Sequence, residues 1–288
     1  MNADAVSAGA MEVQRVAVVG GGLMGSGIAA VLVSAGYQVA LFDPLERARQ
    51  HAAGRVAKSA GDEGAAARFS VRAELPAAVS DADLVIEAVP EVISLKREIF
   101  GLLDEHAPPQ AVLATNTSEL SVTMIAAATS RPESVVGMHW FNPPERMRLI
   151  ELVRGVRSSE RALATAAAVA EAATKTVVTV LDRQGFVTTR AVAALLVEGG
   201  RIFEEGVASL EDVDAAVRLG LNHPMGPLEL ADYIGLDTVL LIADSLTEAY
   251  GDRFRPPQSL RKLVEAGRLG RKAGGGYYDY DESGNKER

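Results

Sequence analysis

The amino-acid sequence predicts an α/β protein: an N-terminal parallel sheet with helices on both faces, followed by an all-helical C-terminal domain. Three observations lead to this fold class. Short apolar runs alternate with helical segments over about the first 180 residues, the first run ends in a glycine cluster, and strand signals stop near residue 183. Because consecutive parallel strands need a long crossover, usually a helix, the alternation favours a parallel sheet.

The predicted strands are short apolar runs in the first part of the chain. They cover residues 13–19, 38–43, 83–89, 111–115, 135–141 and 176–181. Helical segments are predicted between them at residues 23–36, 44–67 and 91–106. Continuous apolar runs of this length are typical of strands that are buried on both faces of a sheet.

A polar segment at residues 182–185 marks the predicted domain boundary. We therefore expect a dinucleotide-binding domain over residues 1–183 and a helical domain for substrate binding and dimerisation over residues 184–288. Helices are predicted there at residues 186–206, 210–220, 227–250 and 258–266. An apolar stripe in this domain has two open interpretations, a core face or a dimer face. Its members are Ala193, Leu196, Val197 and Ile202.

Composition narrows the range of functions. The 288 residues, 48% of them apolar, can build two cores. A net charge of −9 argues against a nucleic-acid partner, since binding to a duplex depends on a positive surface. The absence of cysteine excludes disulfides and thiolate-ligated metals, and no metal site is expected. No signal peptide or membrane-spanning stretch is recognised, so a cytoplasmic protein without a membrane partner is expected.

The glycine cluster after the first strand has the spacing G-x-G-x-x-G. Gly20 permits a tight turn, Gly22 lets the backbone approach a pyrophosphate, and Gly25 allows the helix to pack closely on the strand. Leu23 and Met24 begin that helix, whose N-terminal amides face the phosphate charge. The pattern predicts a Rossmann-type dinucleotide site.

Asp43 ends the second predicted strand, downstream of the glycines. A carboxylate at this position accepts hydrogen bonds from the hydroxyls of the adenosine ribose. It also repels a 2′-phosphate. The sequence therefore predicts NAD as the cofactor in preference to NADP.

His139 is the candidate catalytic base. It lies at the end of a buried apolar run, and ligands of open parallel sheets bind at the carboxyl ends of strands. A second apolar run follows a proline turn and contains one carboxylate, Glu151. A hairpin centred near Glu145 places Glu151 opposite His139, and a buried carboxylate is costly unless it is paired. Such a histidine suits removal of an alcohol proton during hydride transfer, although spacing alone equally allows a structural core histidine.

Ser118 follows the strand predicted at residues 111–115 and has two open interpretations. Its hydroxyl is placed to bond a substrate oxygen at the end of a strand. Alternatively, it is the N-cap of a helix over residues 119–128.

Several motifs, taken together and in order, carry a family resemblance over nearly the whole chain. They are VAVVGGGLMGSGIA, LVIEAVPE, NTSELSV, GMHWFNPP, LIELV, NHPMGPLELADYIGLD and LGRKAGGGYYDY. On these motifs the chain resembles the L-3-hydroxyacyl-CoA dehydrogenases, especially the bacterial 3-hydroxybutyryl-CoA dehydrogenases. The resemblance implies reversible NAD-dependent oxidation of a short-chain L-3-hydroxyacyl-CoA in fatty acid metabolism. It also implies a homodimer formed through the C-terminal domain.

The resemblance also implies roles for individual residues. It supports His139 as the base, Glu151 as its partner and Ser118 as a contact on both the substrate and cofactor sides. Further cofactor-side contacts implied by the resemblance are Glu91, Lys96, Asn142 and Lys272.

Two departures from the family pattern leave the substrate open. Thr189 stands where the family has an active-site asparagine, so a hydroxyl remains but one donor is lost. The helical arm that helps to hold coenzyme A is shortened to residues 44–67. The same hydride transfer on a carrier-protein thioester or a free 3-hydroxy acid is therefore an alternative. A non-catalytic NAD-binding protein, or a reductase or decarboxylating enzyme with a lysine base, is a more distant one.

Overall fold

The computed structural model describes residues 9–59 and 63–287. The chain divides into two compact units, Met1–Phe186 and Val187–Arg288. Among the described residues, all named strands belong to the first unit, and the second unit is built from helices. None of the helices in these ranges is long and apolar enough to cross a membrane.

The first unit is built on one eight-stranded sheet with the order β3-β2-β1-β4-β5-β6-β7-β8. Strands β1 to β6 are parallel, whereas β7 runs antiparallel to β6 and β8 runs parallel to β7. The predicted parallel sheet is thus confirmed for six strands, and the hairpin adds a reversed pair. The bounds are β1 Arg15–Val19, β2 Gln38–Phe42, β3 Phe69–Arg72, β4 Leu84–Glu87, β5 Val112–Thr115, β6 Val135–Trp140, β7 Leu149–Arg154 and β8 Thr176–Leu181.

Helices cover both faces of this sheet, as predicted. Val16 and Val18 of β1 belong to one apolar cluster, whereas Ala17 and Val19 belong to another. This split follows from the two-residue period of a strand, which sends alternate side chains to opposite faces. The helices of this unit are α1 Leu23–Ser34, α2 Glu46–Ser59, α3 Glu63–Arg68, α4 Leu75–Val79, α5 Ile93–His106, α6 Val122–Ala126 and α7 Glu160–Ala172.

Three elements of the first unit have no counterpart in the sequence prediction: β3, α4 and α7. Strand β3 has four residues, FSVR, and none of them is fully buried, so it lacks the apolar run of a central strand. Helix α7 is rich in alanine, and alanine gives little contrast between helix faces. Helix α4 has only five residues, too few to show a helical period. All three elements became visible only in the folded structure.

The second unit contains α8 Thr188–Glu204, α9 Leu210–Gly220, α10 Pro227–Ile234, α11 Leu236–Tyr250 and α12 Gln258–Glu265. The single helix predicted over residues 227–250 is wrong. Gly235, with φ +105°, separates α10 from α11, because this backbone conformation is open mainly to glycine and ends a helix. The apolar stripe on α8 is core: Leu196 packs in the main cluster of this unit and Ala193 packs against Leu246 and Phe254.

Two buried aspartates fix the C-terminal segment of the second unit. Asp232 is fully buried and accepts hydrogen bonds from the Tyr277 and Tyr278 amides and from the Tyr280 hydroxyl. Asp214 accepts from the Tyr278 hydroxyl and from two amides in the first turn of α10. Burial raises the pKa of Asp232, and these hydrogen bonds oppose that rise. The motif GGGYYDY is therefore held in place by hydrogen bonds to carboxylates.

Candidate active site

The glycine turn between β1 and α1 has the geometry of a dinucleotide cradle. Gly20 adopts φ +110°, and a Cβ atom there would lie 2.7 Å from the Ala88 carbonyl oxygen. A Cβ atom on Gly25 would overlap the Gly20 carbonyl, whereas one on Gly22 would have open space around it. Two glycines thus permit close packing, and the third leaves the backbone accessible to a ligand.

Helix α1 begins after Gly22, and no side chain caps its first amides. Gly22 is the N-cap and supplies no side-chain hydrogen bond. The first turn, which begins with Leu23 and Met24, carries no acidic residue. The first amides of a helix have no partner within the helix, and they attract anions. These residues fit a pyrophosphate.

Asp43 stands directly after β2, at the carboxyl end of the sheet. Its Oδ2 atom accepts a hydrogen bond from the Gly21 amide at 2.8 Å, and its Oδ1 atom accepts one from the Leu45 amide at 2.8 Å. A carboxylate has about four acceptor positions, so capacity remains for ribose hydroxyls. The side chain therefore fits the adenosine end of NAD.

The β6–β7 hairpin brings His139 and Glu151 together. The register pairs the two residues directly, so the predicted hairpin is confirmed. His139 Nδ1 lies 2.8 Å from Glu151 Oε2, and the two residues are 5% and 1% exposed. The rings of Phe141 and Phe186 lie 4.3 Å and 5.9 Å from the imidazole. If Nδ1–H donates to the carboxylate, Nε2 is the nitrogen that can accept a proton.

The turn of this hairpin is tied to the cofactor helix. Arg55 of α2 forms a two-pronged ion pair with Glu145, with both N–O distances 2.8 Å, and also donates to the Leu23 carbonyl at 2.7 Å. Lys175 donates to two carbonyls of the same turn. The exposed Asn142 lies two residues beyond Trp140, the last residue of β6, at the start of this turn. Arg55 therefore bridges the start of α1 and the histidine hairpin.

A buried charge network lies at the ends of β4 and β5. Lys96 and Glu87 are both fully buried, and Lys96 Nζ lies 2.8 Å from Glu87 Oε1. Glu91 is partly exposed and lies 3.4 Å from the same nitrogen. The sequence analysis missed Glu87, although Glu87 gives the same signal as Glu151, a single carboxylate inside an apolar run. Burial raises the pKa of Glu87, and Lys96 opposes that rise.

Ser118 lies in the exposed loop after β5, and its amide donates to Glu91 Oε1 at 2.8 Å. The helix-cap interpretation of Ser118 is wrong. Helix α6 begins three residues later than that interpretation requires, at Val122, and Ser121 is its N-cap, accepting from the Met124 amide. Asp182 accepts from the Ser121 hydroxyl and further fixes this helix start. The Ser118 hydroxyl is thus not used to cap a helix.

Two candidate residues belong to the second unit. Thr189 lies in the first turn of α8 and is 7% exposed. Lys272 binds Asp237, with distances of 2.6 and 2.7 Å from its Nζ atom to the two carboxylate oxygens. The two side chains are 50% and 37% exposed, so solvent weakens this ion pair.

The sheet, the glycine cradle and the separate helical unit define a dehydrogenase with a dinucleotide-binding domain. Residues 15–183 match the family model "3-hydroxyacyl-CoA dehydrogenase, NAD binding domain", and residues 185–280 match the C-terminal domain of the same family. The chain belongs to the 3-hydroxyacyl-CoA dehydrogenase family, and its cofactor is NAD.

Relatives match over nearly their full length. The chain is 42% identical to a probable 3-hydroxybutyryl-CoA dehydrogenase of Bacillus subtilis, covering 94% of this chain and 99% of the relative. It is 43% identical to a 3-hydroxybutyryl-CoA dehydrogenase of Mycobacterium tuberculosis, with 93% and 99% covered. The crystal structure of (S)-3-hydroxybutyryl-CoA dehydrogenase from Ralstonia eutropha matches with a TM-score of 0.90 at 37% identity, covering 94% of this chain and all of that one.

Proposed function

We propose that the protein oxidises a short-chain L-3-hydroxyacyl-CoA to the 3-oxoacyl-CoA, reversibly, with His139 as the general base. The observation that carries this proposal is the buried contact of 2.8 Å between His139 Nδ1 and Glu151 Oε2. The names of the relatives, several of them 3-hydroxybutyryl-CoA dehydrogenases, support a short acyl chain.

The chain's own residues then have the following tasks. His139 Nε2 accepts the proton of the 3-hydroxyl group, and Glu151 orients the ring and stabilises the imidazolium that forms. Bound NAD would supply the acceptor for the hydride on C3, the carbon that carries this hydroxyl group. Ser118 and Asn142 lie in the loops that follow β5 and β6, where they bind the substrate oxygen and the nicotinamide side of the cofactor.

Three groups of residues are proposed to bind three parts of the cofactor: the pyrophosphate, the adenosine ribose and the nicotinamide side. Gly20, Gly22 and the α1 amides at Leu23, Met24 and Gly25 hold the pyrophosphate, and Asp43 holds the ribose. Glu91 belongs to the nicotinamide side, and Lys96 acts there through Glu91 because its ammonium group is fully buried.

The second unit is proposed to complete the enzyme. Thr189 contacts the substrate through its hydroxyl, and Lys272 exchanges Asp237 for an anionic group of the cofactor or substrate. We also propose a homodimer formed through this unit and a cytoplasmic location. Large apolar side chains that are 68% to 76% exposed support the dimer: Val207, Leu219, Leu221 and Leu241.

The substrate carrier is tested by following NADH absorbance with 3-hydroxybutyryl-CoA, its pantetheine thioester and free 3-hydroxybutyrate. We expect the highest kcat/KM with the coenzyme A thioester, because binding energy from remote groups supports the chemical step. Equal kcat/KM values for the three would contradict the coenzyme A assignment, and a preference for the free acid would favour a hydroxy-acid dehydrogenase. A series of longer acyl chains then measures the chain-length preference.

A further inference from the structure

The ammonium group of Lys96 is surrounded by oxygen atoms of the protein. It lies 2.8 Å from Glu87 Oε1, 3.2 Å from the Asn116 carbonyl oxygen and 3.4 Å from the Val89 carbonyl oxygen. Glu91 Oε2 also lies 3.4 Å away, so four oxygen atoms surround the three protons that a lysine carries. Since the side chain is also fully buried, Lys96 acts on the site only through its neighbours.

Glu87 is held by hydrogen bonds on both of its carboxylate oxygen atoms. Its Oε1 atom also accepts from the Val89 amide at 2.7 Å, and its Oε2 atom accepts from the Thr115 hydroxyl at 2.7 Å. These bonds tie the carboxylate to the end of β4 and to the neighbouring strand β5. Glu87 is therefore a rigid counter-charge for Lys96.

Glu91 divides its two oxygen atoms between Lys96 and the Ser118 loop. Its Oε2 atom lies 3.4 Å from Lys96 Nζ, whereas its Oε1 atom accepts from the Thr117 hydroxyl and from the Ser118 amide. The side chain of Glu91 is 37% exposed, whereas that of Lys96 is fully buried. The charge on Glu87 decides how strongly Lys96 attracts Glu91.

We propose that Glu87 is a positioning residue: by neutralising Lys96 it keeps Glu91 on the Ser118 amide and so holds the loop that binds substrate and cofactor. The inference rests on the proposed function for the role of Ser118. Without the charge on Glu87, Glu91 becomes the carboxylate nearest to Lys96 among the described residues. A buried cation without its partner is costly, so Glu91 moves toward it and releases the loop.

The test is the isosteric variant Glu87→Gln, measured by NADH fluorescence titration, steady-state kinetics and thermal unfolding. We expect the Kd for NADH to rise about fivefold and kcat to fall about tenfold, in line with the size of coupling within charge networks. The double variant Glu87→Gln/Lys96→Met removes the unpaired cation as well. It is expected to recover at least half of the lost NADH affinity on a logarithmic scale.

Asp232→Asn is the matched control, because it also neutralises a fully buried, hydrogen-bonded carboxylate, in the second unit. It should lower the Tm without changing the Kd for NADH. Unchanged Kd and kcat in Glu87→Gln would overturn the proposal, as would equal losses in the single and double variants. If Glu87→Gln does not fold, Thr115→Val decides the matter, because it removes the hydroxyl that holds Glu87 Oε2: a higher Kd for NADH supports the proposal, and wild-type affinity contradicts it.

These outcomes are separable from a failure of the proposed function. The wild-type substrate panel tests the reaction, whereas the Kd for NADH reports on the loop without any substrate. A protein inactive on every thioester that still showed the Glu87 effect on NADH binding would keep this inference and lose the substrate assignment.

Discussion

Both units bury carboxylates, but they give them different partners. In the first unit, Glu87 is paired with Lys96 and Glu151 with His139, at or beside the carboxyl ends of strands. In the second unit, Asp214 and Asp232 accept hydrogen bonds from backbone amides and tyrosine hydroxyls.

The partner decides what a buried carboxylate can do. Backbone amides cannot leave or take up a proton, so they hold an aspartate in one position and make it part of the scaffold. A histidine or lysine can carry a positive charge, and a change in that charge alters the pKa of the neighbouring carboxylate. Burial of an acid therefore does not mark a functional site, whereas burial beside a titratable base at a strand end does.

The largest expected effect is that of His139→Gln. We expect kcat to fall about 10³-fold, because glutamine cannot accept the alcohol proton, while the Kd for NADH stays unchanged. Stopped-flow and steady-state assays with 3-hydroxybutyryl-CoA measure the loss, and His51→Gln, at an exposed histidine, is the control. Activity within tenfold of wild type would remove His139 from the role of base.

Glu151→Gln should reduce kcat by about 10²-fold, since the amide neither stabilises the imidazolium nor fixes the ring as a carboxylate does. The acidic limb of the kcat profile should move to lower pH, because the imidazolium loses its counter-charge. The exposed Glu160→Gln variant is the control. A lower rate with an unmoved pH profile would mean that Glu151 is structural, like the aspartates of the second unit.

Asp232→Asn tests the scaffold side of the comparison. Each oxygen atom of Asp232 accepts from one backbone N–H, that of Tyr277 or that of Tyr278. Asparagine has only one such oxygen, so its NH₂ group would face the other N–H donor and leave it without an acceptor. We expect the free energy of unfolding to fall by about 2–3 kcal/mol. Urea unfolding measures it, with Asp281→Asn, at an exposed position, as the control. A changed kcat with unchanged stability would give Asp232 a function in the site.

The smallest effect is expected at alkaline pH. Burial raises the pKa of Tyr277 to about 12, whereas a phenol in the unfolded chain ionises near pH 10. Between these values the folded state binds more protons, so the free energy of unfolding falls as pH rises from about 10 to about 12. The measurement is Tm as a function of pH, which should fall over the same range. Tyr277→Phe should make this fall less steep, whereas Tyr233→Phe, at an exposed tyrosine, should not. Identical slopes for Tyr277→Phe and wild type would contradict this assignment.

Much of the site could be read from the sequence because it depends on local order along the chain. The glycine spacing, the acid after β2 and the two apolar runs around the proline turn are each short-range patterns. The hairpin register that pairs His139 with Glu151 follows from counting residues on either side of that turn. Glu87 was missed because its partner, Lys96, lies on a helix whose side-chain direction the strand pattern does not give.

The sequence by itself determined the two-part α/β architecture, the cofactor turn and the pairing of the histidine with a carboxylate, since periodicity and turn chemistry act over a few residues. Only the tertiary structure decided that Lys96 forms a buried ion pair with Glu87, that Ser121 rather than Ser118 caps α6, and that Gly235 divides the long helix. The tertiary structure also joined Arg55 to Glu145 across the sheet unit. Those outcomes depend on which distant groups meet, and hydrogen-bond donors are assigned by proximity in space rather than by position in the chain.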